Sequence, residues 1–132
     1  MELSILDTTT RAEEGVEFEV RHPKTGEGIG FYLTVKGADS QTYKNALKEA
    51  MKKASDKTTQ NDIKEQVLVA CTVGWRAVNA KGENEPITID GKEIKFCESS
   101  LKEMLKRMPT IRDQGVAFQD GRANFLPIAS AS

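Results

Sequence analysis

The chain has 132 residues, 38% of them hydrophobic and 30% charged, with a formal net charge of −1. That size and balance fit one globular domain that needs neither a metal nor a disulfide staple. Near-neutral charge leaves no global field to hold nucleic acid or an anionic membrane, and no apolar run approaches the ~20 residues that span a bilayer.

Residues 1–14 are polar and without period, and read as a flexible N-terminal arm. They show no basic start and apolar block, so no secretory signal is expected. The segment 15–127 reads as a single α+β domain. Val16, Phe18 and Val20 alternate with Glu17, Glu19 and Arg21, which predicts a half-buried strand. His22-Pro23-Lys24-Thr25-Gly26 is turn chemistry, and Phe31, Leu33 and Val35 mark a second strand over 30–35. Together these predict an N-terminal β-hairpin.

A bundle of about four helices is expected to follow. Asp39 or Ser40 is placed to cap the first, over 41–54, with Tyr43, Ala46, Leu47, Ala50, Met51 and Ala54 as its apolar stripe and Lys44, Lys48, Lys52 and Lys53 away from it. Thr59 and Asp62 have capping-box spacing before a longer helix over 61–78, on which Ile63, Val67, Ala70, Cys71, Gly74 and Val78 share a face, widened by Leu68 and Trp75. Ile87 and Ile89 lead into Asp90-Gly91, a strong hairpin signal, and Ile94 and Phe96 leave it, so a second small hairpin separates helices two and three. Leu101, Met104, Leu105 and Met108 predict a helix over 98–107. Pro109 suits the first position of the last helix, which Asp120-Gly121 ends. Residues 128–132 are expected to fray.

Candidate chemistry is sparse. His22 is the single histidine, on a turn, and it has no ligand spacing with Cys71 and Cys97, so no metal or cofactor site is expected and no catalytic pair either. Cys71, in an apolar helical run, reads as a reduced, buried thiol and a Cys71–Cys97 disulfide is not expected. Gly26, Gly28 and Gly30 precede a strand, so they lack the helix N-terminus that a phosphate loop requires and read as a hairpin turn. Glu17 and Glu19 lie on the outward phase of a strand, as solvated surface. The lysine face of the first long helix has no interleaved aromatics for base stacking, so a nucleic-acid regulator is a minor alternative.

From Trp75 onward the residues follow a recurring order. A helix ends in Trp75-Arg76-Ala77-Val78, and a polar loop and a Gly91 turn lead to Ile94-Lys95-Phe96. A helix with Leu101 and Leu105 follows, then Pro109-Thr110-Ile111-Arg112-Asp113-Gln114, and the close is Phe118-x-Asp120-x-Arg122-Ala123-Asn124-Phe125-Leu126. This pattern, over about the last 60 residues, resembles the tail assembly chaperones of long-tailed bacteriophages. Cys97 departs from it, standing where a hydroxyl cap is expected that Ser99 or Ser100 can supply. Gly115 departs as well, and weakens a helix interior by about 1 kcal/mol relative to Ala.

The resemblance implies a non-enzymatic helper in the host cytoplasm. It would coat the long, apolar, helical tape-measure protein before the tail tube polymerises, and be absent from the mature virion. It also allows a homo-oligomer. A neck or minor tail protein of the particle is the alternative. Met104, Met108, Ile111, Phe118 and Phe125 are the expected partner-binding residues, because the last two helices and the tail carry more apolar side chains than they need for themselves. Trp75 is expected to anchor the core instead.

Overall fold

The computed structural model describes residues 1–128. The segment expected to fray, 128–132, lies outside them except for Ile128, which is exposed. Among the described residues the architecture is mixed α+β: five α-helices, a four-stranded antiparallel sheet and a separate two-stranded one. The hairpin-then-bundle layout therefore holds only coarsely, because the sheet is larger than a hairpin and its third strand comes from the middle of the chain.

Strands β1 (Val16–Arg21) and β2 (Gly28–Val35) form the expected hairpin, with Val16 opposite Val35 and Phe18 opposite Leu33. Alternation sends Val20, Phe31, Leu33 and Val35 into the core. The opposite face is polar. Arg76 donates to both oxygens of the Glu17 carboxylate at 2.7 Å and lies 4.3 Å over the Tyr32 ring. Glu19 is less solvated than its outward phase suggests: it is half-buried, and its carboxylate accepts from the Gly30 N–H at 3.0 Å.

Two helices are inserted between β2 and β3. Helix α2 (Gln41–Lys53) starts at Ser40, whose hydroxyl accepts from the Tyr43 N–H. Helix α3 (Gln60–Cys71) starts with the capping box expected of Thr59 and Asp62. It stops at Cys71 and not at Val78, a correction to the sequence reading. Thr72 ends it, with its backbone N–H and its hydroxyl both donating to the Leu68 carbonyl. Strand β3 (Thr72–Val78) follows without a loop and pairs with β2, setting Trp75 opposite Leu33 and Ala77 opposite Phe31. The helical spacing of Gly74 and Val78 was one reading of a segment rich in β-branched and aromatic residues; the open hydrogen-bonding edge of β2 selects the other. Trp75 still packs on the core, from the sheet and not from a helix. Strand β4 (Asn84–Glu85) closes the sheet on the far side of β3.

Strands β5 (Ile87–Ile89) and β6 (Lys92–Ile94) form the second hairpin, with Asp90 and Gly91 both left-handed at φ 53° and 79°, as a two-residue turn of this twist requires. Arg107 ties this turn to helix α4 (Glu98–Arg107) by two hydrogen bonds to the Asp90 carboxylate, 2.7 and 3.0 Å long. Helix α5 (Pro109–Asp120) has proline at its first position. It crosses α3 at Gly115, where an added Cβ would stand 2.9 Å from Leu68 Cδ2, so the helical weakness of glycine is exchanged for a close approach. A 3-10 turn, Arg122–Phe125, then buries Phe125.

The N-terminal 14 residues are more than an arm. A 3-10 turn spans Leu3–Leu6, and helix α1 (Thr9–Glu14) buries Ala12. The Thr8 hydroxyl donates to Asp39 at 2.6 Å, and the Arg11 guanidinium donates to the Leu126 carbonyl at 2.7 Å. One buried alanine leaves no hydrophobic period, which is why the sequence is silent here.

Candidate partner-binding groove

Helix α2 is fixed to the body by small side chains. Ala50 is buried with Val67 and Cys71 of α3, and Tyr43, Ala46 and Ile63 pack around them. Leu47 and Met51, expected in the inward stripe, are exposed instead, because α3 meets the 43/46/50 face of α2. Alanines cannot reach across to α4. An open groove of about 660 Å³ remains between α2, α3 and α4.

Its apolar surface comes from Ala46 and Ala50 on α2, Val69 and Ala70 on α3, and Phe96 and Leu101 at the start of α4. Ala50, Val69 and Leu101 are buried floor, whereas Ala70 and Phe96 face solvent. Phe96 is held edge-on against Trp75, with centroids 5.1 Å apart, and Trp75 in turn lies 6.0 Å from Phe31. The groove's aromatic wall is thus braced by the sheet. Its rims carry both signs: Glu49 and Lys53 on α2, Glu98 and Lys102 on α4, the last two paired at 3.0 Å. An apolar floor with charged rims accepts an amphipathic element and leaves that element's polar face in water.

The five residues expected to bind a partner do not meet at this groove. Met104, Ile111 and Phe125 are buried in the main core, and Met108 and Phe118 are half-buried against it. Phe118 stacks on Phe18 at 4.7 Å and meets Phe125 edge-on at 5.6 Å. Their apparent surplus disappears because the sheet, unseen as a sheet in the sequence, consumes it. Of the residues that do line the groove, the sequence showed Ala46, Ala50 and Ala70 on helical faces, Phe96 leaving a hairpin and Leu101 on the stripe of the third helix. The available signal was the small size of Ala46, Ala50 and Ala70, which marks a seam too shallow to close.

The two cysteines are free and differ in environment. Burial pushes the Cys71 thiol up to about 11, against a weaker opposing hydrogen bond with Gln119. Cys97 lies beside Phe96 at the head of α4 and serves as its N-cap: Sγ accepts from the Ser100 N–H at 3.5 Å, and the Ser100 hydroxyl accepts from the Cys97 N–H at 3.1 Å. The Ser100 and Ser99 hydroxyls draw its thiol down to about 7. Ser100 thus shares the capping that a hydroxyl residue at position 97 was expected to supply.

His22 sits in the β1–β2 turn, where its Nδ1 accepts from the Lys24 N–H at 3.1 Å. Among the described residues no three His, Cys, Asp or Glu side chains converge as metal ligands, and no described helix is long and apolar enough to cross a membrane. No family model matches this chain, and neither a curated protein nor a solved structure matches it.

Proposed function

We propose that this chain is a tail assembly chaperone of a long-tailed bacteriophage, which keeps apolar helical segments of the tape-measure protein soluble until the tail tube polymerises around them. The observation that carries the reading is the open groove between α2, α3 and α4. Its volume of about 660 Å³ holds several aliphatic side chains but not a whole helix. A partner helix would lay anchors at i, i+3, i+4 and i+7 on Ala50, Val69, Phe96 and Leu101, with its polar face outward. Rims of both signs favour an encounter without locking it, as release before tail completion demands. On this reading the chain is not an enzyme, acts in the host cytoplasm and leaves the finished particle. The order of residues from Trp75 to Leu126 supports the same reading from the sequence side.

Co-expression with a tape-measure protein tests it. The wild-type chain should yield a soluble complex. Ala70→Arg, which places a long charged side chain in the groove at an exposed position, should leave the fold intact and lose the complex. Equal precipitation of the partner with and without the wild-type chain rejects the reading. Mass spectrometry of purified virions separates it from a neck or minor tail protein, which stays in the particle.

A further inference from the structure

The two outer edges of the sheet on either side of the β1–β2–β3 core are guarded differently. The outer edge of β1 carries Glu17, Glu19 and Arg21. At Arg21 the side-chain amide of Gln114 stands in for a neighbouring strand: the Arg21 N–H donates to its Oε1 at 2.7 Å, and its Nε2 donates to the Arg21 carbonyl at 2.8 Å. Charges and a surrogate partner of this kind keep another strand from adding there. The outer edge of β3 has neither. Strand β4 pairs with Ala77 and Val78 alone, and the chain leaves it at Pro86 for the separate β5–β6 hairpin. Thr72, Val73, Gly74 and Trp75 have no strand on that side and bring no charge to it.

The direction of the free groups follows from the loop after β3. The Asn79 N–H donates to the Glu83 carbonyl at 2.9 Å, toward β4. Every second residue back along the strand turns its N–H and carbonyl the same way, so Ala77 serves β4 and Trp75 points past its end. Among the described residues no loop or side chain bonds the Trp75 backbone. Val73 is the extra residue of a bulge. Strand β2 sets Val35 opposite Thr72 and Thr34 opposite Gly74, which leaves Val73 unmatched and 47% exposed.

This edge continues the groove. Helix α3 passes into β3 without a loop, so the groove floor runs from Val69 through Thr72 onto the strand. Phe96 belongs to both, since it lines the groove and meets Trp75 edge-on. We infer, on the strength of the tape-measure reading, that the partner whose helix sits in the groove runs on in extended form and adds a short strand to the open edge of β3, in line with β4. The free N–H and carbonyl of Trp75 are matched by the carbonyl and N–H of one residue of an extended chain. Alternate side chains of that segment face Phe96 on the core side of the sheet and Val73 on the other, which suits apolar or β-branched residues. The residue opposite Trp75 must keep its own N–H and so is not proline.

Hydrogen exchange with residue-level mass spectrometry tests this on the free chain and on its complex with the tape-measure protein. In the free chain the Trp75 amide should exchange fast, while the Arg76 amide, turned toward β2, exchanges slowly. In the complex the Trp75 amide should slow by about tenfold or more. Val73→Pro removes a donor from this edge at a residue unmatched by β2. A bulge tolerates proline, and Thr72 before it already has the extended φ of −81° and ψ of 120° that suit the residue preceding one. The variant should weaken the complex about fivefold and abolish the protection of Trp75. Val73→Lys, a charge on the same exposed edge, should lower both as well and carries the test if proline disturbs the fold. A Trp75 amide already slow in the free chain overturns the inference, as does full affinity in the folded Val73 variants. A complex in which Trp75 keeps its free rate rejects the added strand alone. No complex with the wild-type chain rejects the tape-measure reading and the added strand with it.

Discussion

Helices α2 and α4 both carry apolar residues at helical spacing, yet the molecule uses them in opposite ways. Helix α4 turns Leu101, Met104 and Leu105 into the main core, where they meet the sheet and α5. Helix α2 buries only Ala50 and leaves its larger apolar side chains outside. Burying a leucine is worth about 1.5–3 kcal/mol, and an alanine offers far less area. One helix is therefore structural stock of the core, whereas the other is held by its edge, with one flank open as a groove and another bare. A periodic stripe does not say which of these a helix will be. That depends on whether the side chains facing its neighbour are large.

The sharpest way to break this contrast is to remove a large side chain from each region. Leu105→Ala lies in the fully buried core and should cost about 2–5 kcal/mol, read as a fall in the denaturant midpoint at unchanged slope. Leu47→Ser on α2 should stay within about 0.5 kcal/mol of wild type. Comparable losses at the two sites would mean that α2 is as deeply packed as α4. The same contrast predicts that hydrogen exchange opens α2 before α4, since local opening follows the thinnest packing.

A smaller effect is expected at Gly115. Alanine there gains about 1 kcal/mol of helix propensity, but its Cβ would stand 2.9 Å from Leu68 Cδ2. Forcing a methyl into a packed crossing costs about 1–3 kcal/mol, so the net change should be a loss of about 1 kcal/mol. A rise in thermal midpoint would show that α3 and α5 can move apart freely, and that the core side of the comparison is looser than its contacts suggest.

The elements that were legible in the sequence are those whose ends carry their own chemistry. The Thr59–Asp62 capping box, Pro109 at the head of α5 and the Asp90-Gly91 turn fix their neighbours locally, and each stands where expected. The β3 strand was not legible, because Cys71 to Val78 satisfies a helical stripe as well as a strand, and only the unpaired edge of β2 decides between them. That one ambiguity carried over to the site. Without β3 the sheet lacked a third strand, the apolar side chains of α4, α5 and the tail looked surplus, and Met104, Ile111 and Phe125 were assigned to a partner instead of to the core. The groove was hidden for a related reason: it is made by what alanines leave empty, and periodicity counts apolar residues without weighing their size.

The smallest effect concerns no stability at all, only the two thiols that lie on either side of the divide. Cys97 caps α4 in solvent, and its thiol is drawn down to about 7 by the Ser100 and Ser99 hydroxyls. Cys71 pins α2 to α3 from inside, where burial pushes its thiol up to about 11. The thiolate is the reacting form. With its thiol drawn down to about 7, the rate of Cys97 with a disulfide reagent should level off at a lower pH than that of an ordinary cysteine and fall about tenfold per pH unit beneath its midpoint. Cys71 should wait for opening of the α2–α3 seam and react at the rate at which that seam opens. One fast equivalent and one slow one are therefore expected, with mild denaturant accelerating only the slow phase. Two equivalents at one rate would erase the distinction between the regions. A partner seated in the groove should slow both phases, the fast one by covering Cys97 beside Phe96 and the slow one by bridging Ala50 of α2 and Val69 of α3, which holds the seam over Cys71 shut.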